Sequence, residues 1–180
     1  MIFRKLCVCV LLAIIADGIG AAEPQTGPVI KGFGPVFEVS ENAWNLRQDV
    51  HYKVSMDVAA TSENISDLNR RIESAARFLN MHAGNGIDPK NIELAIIIHG
   101  SAGKDLLTDA AYQSRFEVPN PNTAMLNALG EAGVVIYLCG QTAAYRGFAA
   151  EELSPVVTMA LSAMTAHIRL QSEGYTLIPF

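Results

Sequence analysis

Val134-Val135-Ile136-Tyr137-Leu138-Cys139-Gly140 is the stretch that decides the fold. An unbroken apolar run rich in β-branched residues, bounded by Gly133 and Gly140, reads as a fully buried strand. In an open α/β sheet, reactive groups and ligands collect at the carboxyl ends of such strands, and Cys139 stands there. If Gln141-Thr142-Ala143-Ala144-Tyr145 starts a helix, the sulfur faces free backbone N–H groups and the positive end of a dipole. That setting lowers a thiol pKa and favours the nucleophilic thiolate. The other reading is a buried cysteine acting as a small hydrophobe. The local sequence leaves both open.

Outward from that strand the chain alternates strand and helix, the signature of an α/β sheet. His51 to Ala59 predicts a first strand, and Ile65 to Ala83 a helix with Ile65, Leu68, Ile72, Ala76 and Leu79 on one face. Asn64 is its expected cap, and the same residue opens an Asn64-Ile65-Ser66 glycosylation-type triplet. Ile92 to His99 predicts a central strand, and Lys104 to Phe116 a short helix or lid. Asn120-Pro121 is expected to cap a helix running to Ala132. Val156 to Leu161 predicts a fourth strand. Leu161, Met164, Ile168 and Gln171 mark the last helix, stopped by Gly174, and Tyr175 to Ile178 a final strand.

The N-terminal part reads differently. Arg4 and Lys5 precede an apolar stretch from Leu6 to Ala16, and small residues end at Ala22, the pattern of a secretory signal peptide over 1–22. The expectation is a periplasmic or secreted protein. Cys7 and Cys9 fall inside that leader, so Cys139 is the one cysteine left of three. A single cysteine allows no internal disulfide and no Cys-x-x-Cys cycle. Without the leader, 11 basic and 17 acidic residues remain, a formal charge of −6. An acidic domain without a basic stripe argues against nucleic acid and anionic membrane surfaces. Residues 23–48, broken by Pro24, Pro28 and Pro35 but carrying Phe33, Phe37 and Trp44, read as an extended arm. It is expected to lie on the 49–180 domain or to reach a neighbouring subunit.

Several residues in order resemble the DsrE/DsrF-like family with its YchN-like fold. They are Cys139-Gly140 ending a strand, Arg146-Gly147 a short helix later, and Leu153-Ser154-Pro155 before the next strand. Gln171-x-x-Gly174-Tyr175 before a terminal strand ending at Pro179, and His99-Gly100, complete the pattern. The resemblance implies a three-layer α/β/α sandwich with a mostly parallel five-stranded sheet, assembled as a homo-oligomer, a trimer or hexamer. It also implies a persulfide carried on Cys139, as in cytoplasmic relatives that pass sulfur between donor and acceptor proteins. The leader is a departure from those relatives and excludes transfer-RNA thiolation.

Cys139 and His99 are therefore the candidate catalytic pair, since both end strands on one sheet edge. Gly140, Gly100 and Arg146 are candidate substrate-binding residues, the arginine for an anionic donor. An exposed Arg146 pairing with Glu151 or Glu152 is the alternative. Asp57 could orient His99, which on paper allows a Cys–His–Asp hydrolase that the resemblance does not support. Tyr112 and Arg115 are expected to cover the pocket or pack on a neighbouring subunit. His51, His82 and His167 look scattered, with no metal spacing, and no cofactor is expected. The two function classes are an exported sulfur carrier and a non-catalytic oligomeric binding or scaffold module.

Overall fold

The computed structural model describes residues 22–39 and 46–179. The leader expected over 1–22, except its last residue, and Trp44 lie outside the described residues. Five strands form one sheet: β1 (Tyr52–Val58), β2 (Ile92–Ile98), β3 (Val135–Cys139), β4 (Val157–Ala160) and β5 (Thr176–Pro179). Their order is β4-β3-β2-β1-β5, and every pairing is parallel. All carboxyl ends therefore share one edge, which is where the site forms.

Helices fill both faces. On one face α1 (Arg70–Gly84) and α3 (Thr123–Glu131) bury Ile72, Leu79, Met125 and Leu126 against Val54, Met56, Ile96 and Leu138. On the other, α5 (Ala163–Ser172) lays Ala163, Ala166 and Leu170 over Ala95, Ile97 and Cys139. Strands β2 and β3 are covered on both sides, so they needed apolar residues at nearly every position. The remaining helices, α2 (Asp109–Phe116) and α4 (Gly140–Arg146), follow β2 and β3 in the chain, α2 after a 3-10 stretch at Gly100–Leu106.

Several boundaries differ from the sequence expectation, each for a visible reason. Helix α1 starts at Arg70 because Asn69, not Asn64, caps it, accepting from the N–H groups of Arg71 (3.0 Å) and Ile72 (3.4 Å). Asn64 instead closes a local turn onto the Ser66 N–H. Helix α3 starts at Thr123 because the Asn120 side chain is bound to the carbonyls of Asp105 and Leu107. Of the residues that marked the last helix, Leu161 falls before α5 while Met164 and Ile168 lie on it; they are 72, 74 and 69 % exposed, and the helix buries Ala163, Ala166 and Leu170 instead.

Tyr112 covers no pocket. It is fully buried, and its hydroxyl accepts from Lys104 Nζ at 2.7 Å and donates to the Ile65 carbonyl at 2.8 Å. Lys104 in turn reaches Asp105 at 2.9 Å, whose carboxylate also accepts from Thr61 and Asn69. Arg115 is taken up by Glu152 and the Gly147 carbonyl, and Arg146 donates to the Gly100 carbonyl rather than pairing with Glu151 or Glu152.

Residues 22–39 lie on α1 of their own chain. Gln25 and Val36 pair antiparallel and close a loop whose Ile30 is buried. Asn80 holds that loop: its Oδ1 accepts the Ile30 N–H at 2.8 Å, and its Nδ2 donates to the carbonyls of Ile30, Phe33 and Gly34. Glu73 Oε1 accepts the Gly34 N–H at 3.1 Å, and Arg77 Nε donates to the Pro35 carbonyl.

Candidate functional site

Cys139 ends β3 and is at the same time the N-cap of α4, with extended backbone (φ −63°, ψ 115°). The chain turns here because Gly140 must pass under the end of β4. A Cβ at Gly140 would lie 2.7 Å from the Ala160 carbonyl oxygen, so glycine alone fits. Gly100 turns the chain after β2 for a similar reason, with φ +58° and its Cα hydrogen against the Ala59 carbonyl, where a Cβ would stand at 2.6 Å.

The sheet register sets the neighbours. Ile98 pairs with Leu138, so one step further His99 stands beside Cys139, on strands spaced roughly 4.8 Å apart. Cys139 itself pairs with Ala160. By the two-residue alternation of strands, Asp57, His99 and Cys139 project to the α5 face.

Cys139 is 6 % exposed, packed among Ala95, Ile97, Ala163, Ala166 and Leu170. Burial by these apolar neighbours is the largest single influence and opposes ionisation. The backbone N–H groups of Thr142 and Ala163, then the Thr142 hydroxyl and the Gln141 N–H, favour the thiolate. Together they outweigh burial and hold the thiol below its ordinary pKa. Two helix starts, α4 and α5, thus converge on one sulfur.

His99 Nε2 lies 3.0 Å from Asp57 Oδ1, the orientation expected for Asp57. His167 Nε2 reaches the same oxygen at 2.8 Å from α5. Arg146 is exposed, and its Nε donates to the Gly100 carbonyl at 2.9 Å, tying α4 to the turn after β2. Of the five candidates, Cys139, His99, Gly100 and Gly140 form one continuous edge, and Arg146 braces its rim. A cavity of about 270 Å³ opens nearby between β4 and α5, walled by Tyr137, Met159, Leu161, Thr165 and Arg169. Among the described residues no group of three or more His, Cys, Asp or Glu is arranged to hold a metal.

Thr142 and His167 were missed by sequence reasoning. Thr142 carried a usable signal: it is the third residue of the helix that Cys139 caps, where a backbone N–H points back at the cap. His167 carried one only jointly with Ala163, four residues earlier on the same face of α5.

Comparison with known proteins matches these features to a family and a fold. No curated protein matches the chain. Two solved structures share the architecture, a protein of unknown function from Methanobacterium thermoautotrophicum and the ychN protein from E. coli. The first has a TM-score of 0.55 at 17 % identity and the second 0.52 at 16 %, each covering 72 % of this chain and 99 % of its own. The family model described as DsrE/DsrF-like matches residues 53–180, from the first strand past the last, and the chain belongs to that family.

Proposed function

We propose that the protein is an exported sulfur carrier whose Cys139 transiently holds a persulfide. In the step, the Cys139 thiolate attacks the outer sulfur of a donor persulfide. A new S–S bond forms on Cys139, the donor's S–S bond breaks, and the donor leaves as a thiolate with no net oxidation. Transfer to an acceptor thiol is the same step in reverse. The observation that carries the reading is the convergence of the Thr142 and Ala163 N–H groups on a single strand-end sulfur in a DsrE/DsrF-like chain. His99 beside it can hold the thiol proton, and Arg146 with the Gly100 and Gly140 turns lines the approach.

The donor or acceptor would meet a surface carrying Leu161, Met164 and Ile168, all well exposed. A stripe of this kind also suits association of copies of the chain, the homo-oligomer that the family resemblance implies. The test is to incubate the protein with a protein persulfide or polysulfide and weigh it intact. A one-sulfur gain on wild type that Cys139→Ser lacks supports the carrier, and an equal gain on both overturns it.

A second reading, a non-catalytic binding or scaffold module, has one observation in its favour. Cys139 is 6 % exposed and lies in an apolar cluster, as a packing cysteine would. Labelling by a maleimide only after unfolding would decide for this reading.

A further inference from the structure

Asp57 on β1, His99 at the end of β2 and His167 on α5 meet at one atom. Asp57 Oδ1 lies 3.0 Å from His99 Nε2 and 2.8 Å from His167 Nε2. A carboxylate oxygen accepts and cannot donate, so both rings present Nε2–H to it. The free nitrogen of each neutral ring is then Nδ1. The two differ sharply. His167 Nδ1 is buried with no partner, so a proton placed there would have no acceptor. His99 Nδ1 carries no protein hydrogen bond among the described residues, and its side chain is 31 % exposed beside Cys139 in the register.

We propose that His167 is a positioning residue: by sharing Asp57 Oδ1 it holds His99 as the Nε2–H tautomer, which leaves Nδ1, on the strand next to Cys139, free to take the thiol proton once ring and sulfur come within hydrogen-bond reach. The proposal rests on the carrier reading of Cys139. In the step the S–H bond breaks, the electron pair stays on sulfur, and an N–H bond forms on His99. Asp57 stabilises the resulting imidazolium, and the proton is available for the departing thiolate. Helix α5 serves both ends of the pair. Its Ala163 N–H faces the sulfur, and one turn later His167 steadies the base. Other ionisable groups on the packed elements are Tyr137, two residues back on the same face of β3, Arg169 of α5, which acts on Tyr137, and Arg146 of α4, held on the Gly100 carbonyl.

The test reads ring tautomers by nitrogen-15 NMR on the native chain, with the His99 signals assigned by their loss in His99→Gln. Both rings are expected as Nε2–H when neutral. His167→Ala should let His99 populate the Nδ1–H form and slow Cys139 alkylation near about pH 6 by roughly three- to tenfold. His167→Gln, whose amide can donate to the same oxygen, should restore both. An Nδ1–H His99 in wild type, or a His99 tautomer unchanged in His167→Ala, overturns the proposal. If His167→Ala does not fold, the wild-type tautomers decide alone. A Cys139 that alkylates only after unfolding sinks the carrier reading, and the tautomers still judge the positioning separately.

Discussion

Thr142 Oγ1 accepts the Gly100 N–H at 3.2 Å, so its own hydroxyl hydrogen is free to turn toward Cys139. One side chain thus joins the turn after β2 to the start of α4 and favours the thiolate as well. Thr142→Val keeps the shape and removes the hydroxyl. The thiol pKa should rise and alkylation at neutral pH slow by about threefold, read from the rate against pH. An unchanged profile would remove Thr142 from the site.

The loop of residues 25–36 should be as much a part of the fold as any helix. Asn80 is fully buried and makes four hydrogen bonds to that loop's backbone. Asn80→Ala leaves those groups without partners and should cost about 2–4 kcal/mol in urea unfolding. Release of the loop should show as new proteolysis between residues 24 and 37. A variant as stable as wild type would mean that the loop is only resting on α1.

Lys104 provides the alkaline limit. Burial is the largest single influence on its ammonium and opposes the charge, but the Tyr112 hydroxyl and Asp105 outweigh it and raise the pKa above 10.5. A raised folded-state pKa means that the contribution is complete below 10.5 and lost as pH climbs through the folded value. Lys104→Met strands Asp105 and should cost about 3–5 kcal/mol at neutral pH. The gap to wild type should narrow above the lysine range. A gap constant with pH would show that the charge contributes nothing.

Met164 separates surface from fold. It is 74 % exposed, so Met164→Asp should leave stability within about 0.5 kcal/mol of wild type. If Leu161, Met164 and Ile168 join copies of the chain, the variant should sediment as a smaller species. Sedimentation identical to wild type would free this stripe from that role.

The buried strands were readable because β2 and β3 are covered on both faces over most of their length, and Glu93 near the start of β2 is their one charged residue. The last helix misled for the opposite reason. Its large apolar residues look like a core face, while the sheet below accepts only Ala163, Ala166 and Leu170. Hydrophobic period assumes that the bigger side chains go inside, and a helix lying close over a crowded sheet reverses that. Cap positions shifted because Asn64 and Asn120 had competing partners that sequence cannot rank. Cys139 and His99 were readable as strand ends. His167 was not, since its partner Asp57 lies 110 residues away.

Because Asp57, His99 and Cys139 sit on three parallel strands and share a face by the alternation of each, a slip of any strand by one residue would scatter them. The sulfur acquires its altered acidity only when the strands are correctly aligned and both helix starts are seated. Its labelling rate is therefore a built-in gauge of native alignment, one that distinguishes misfolded chains without any engineered reporter residue.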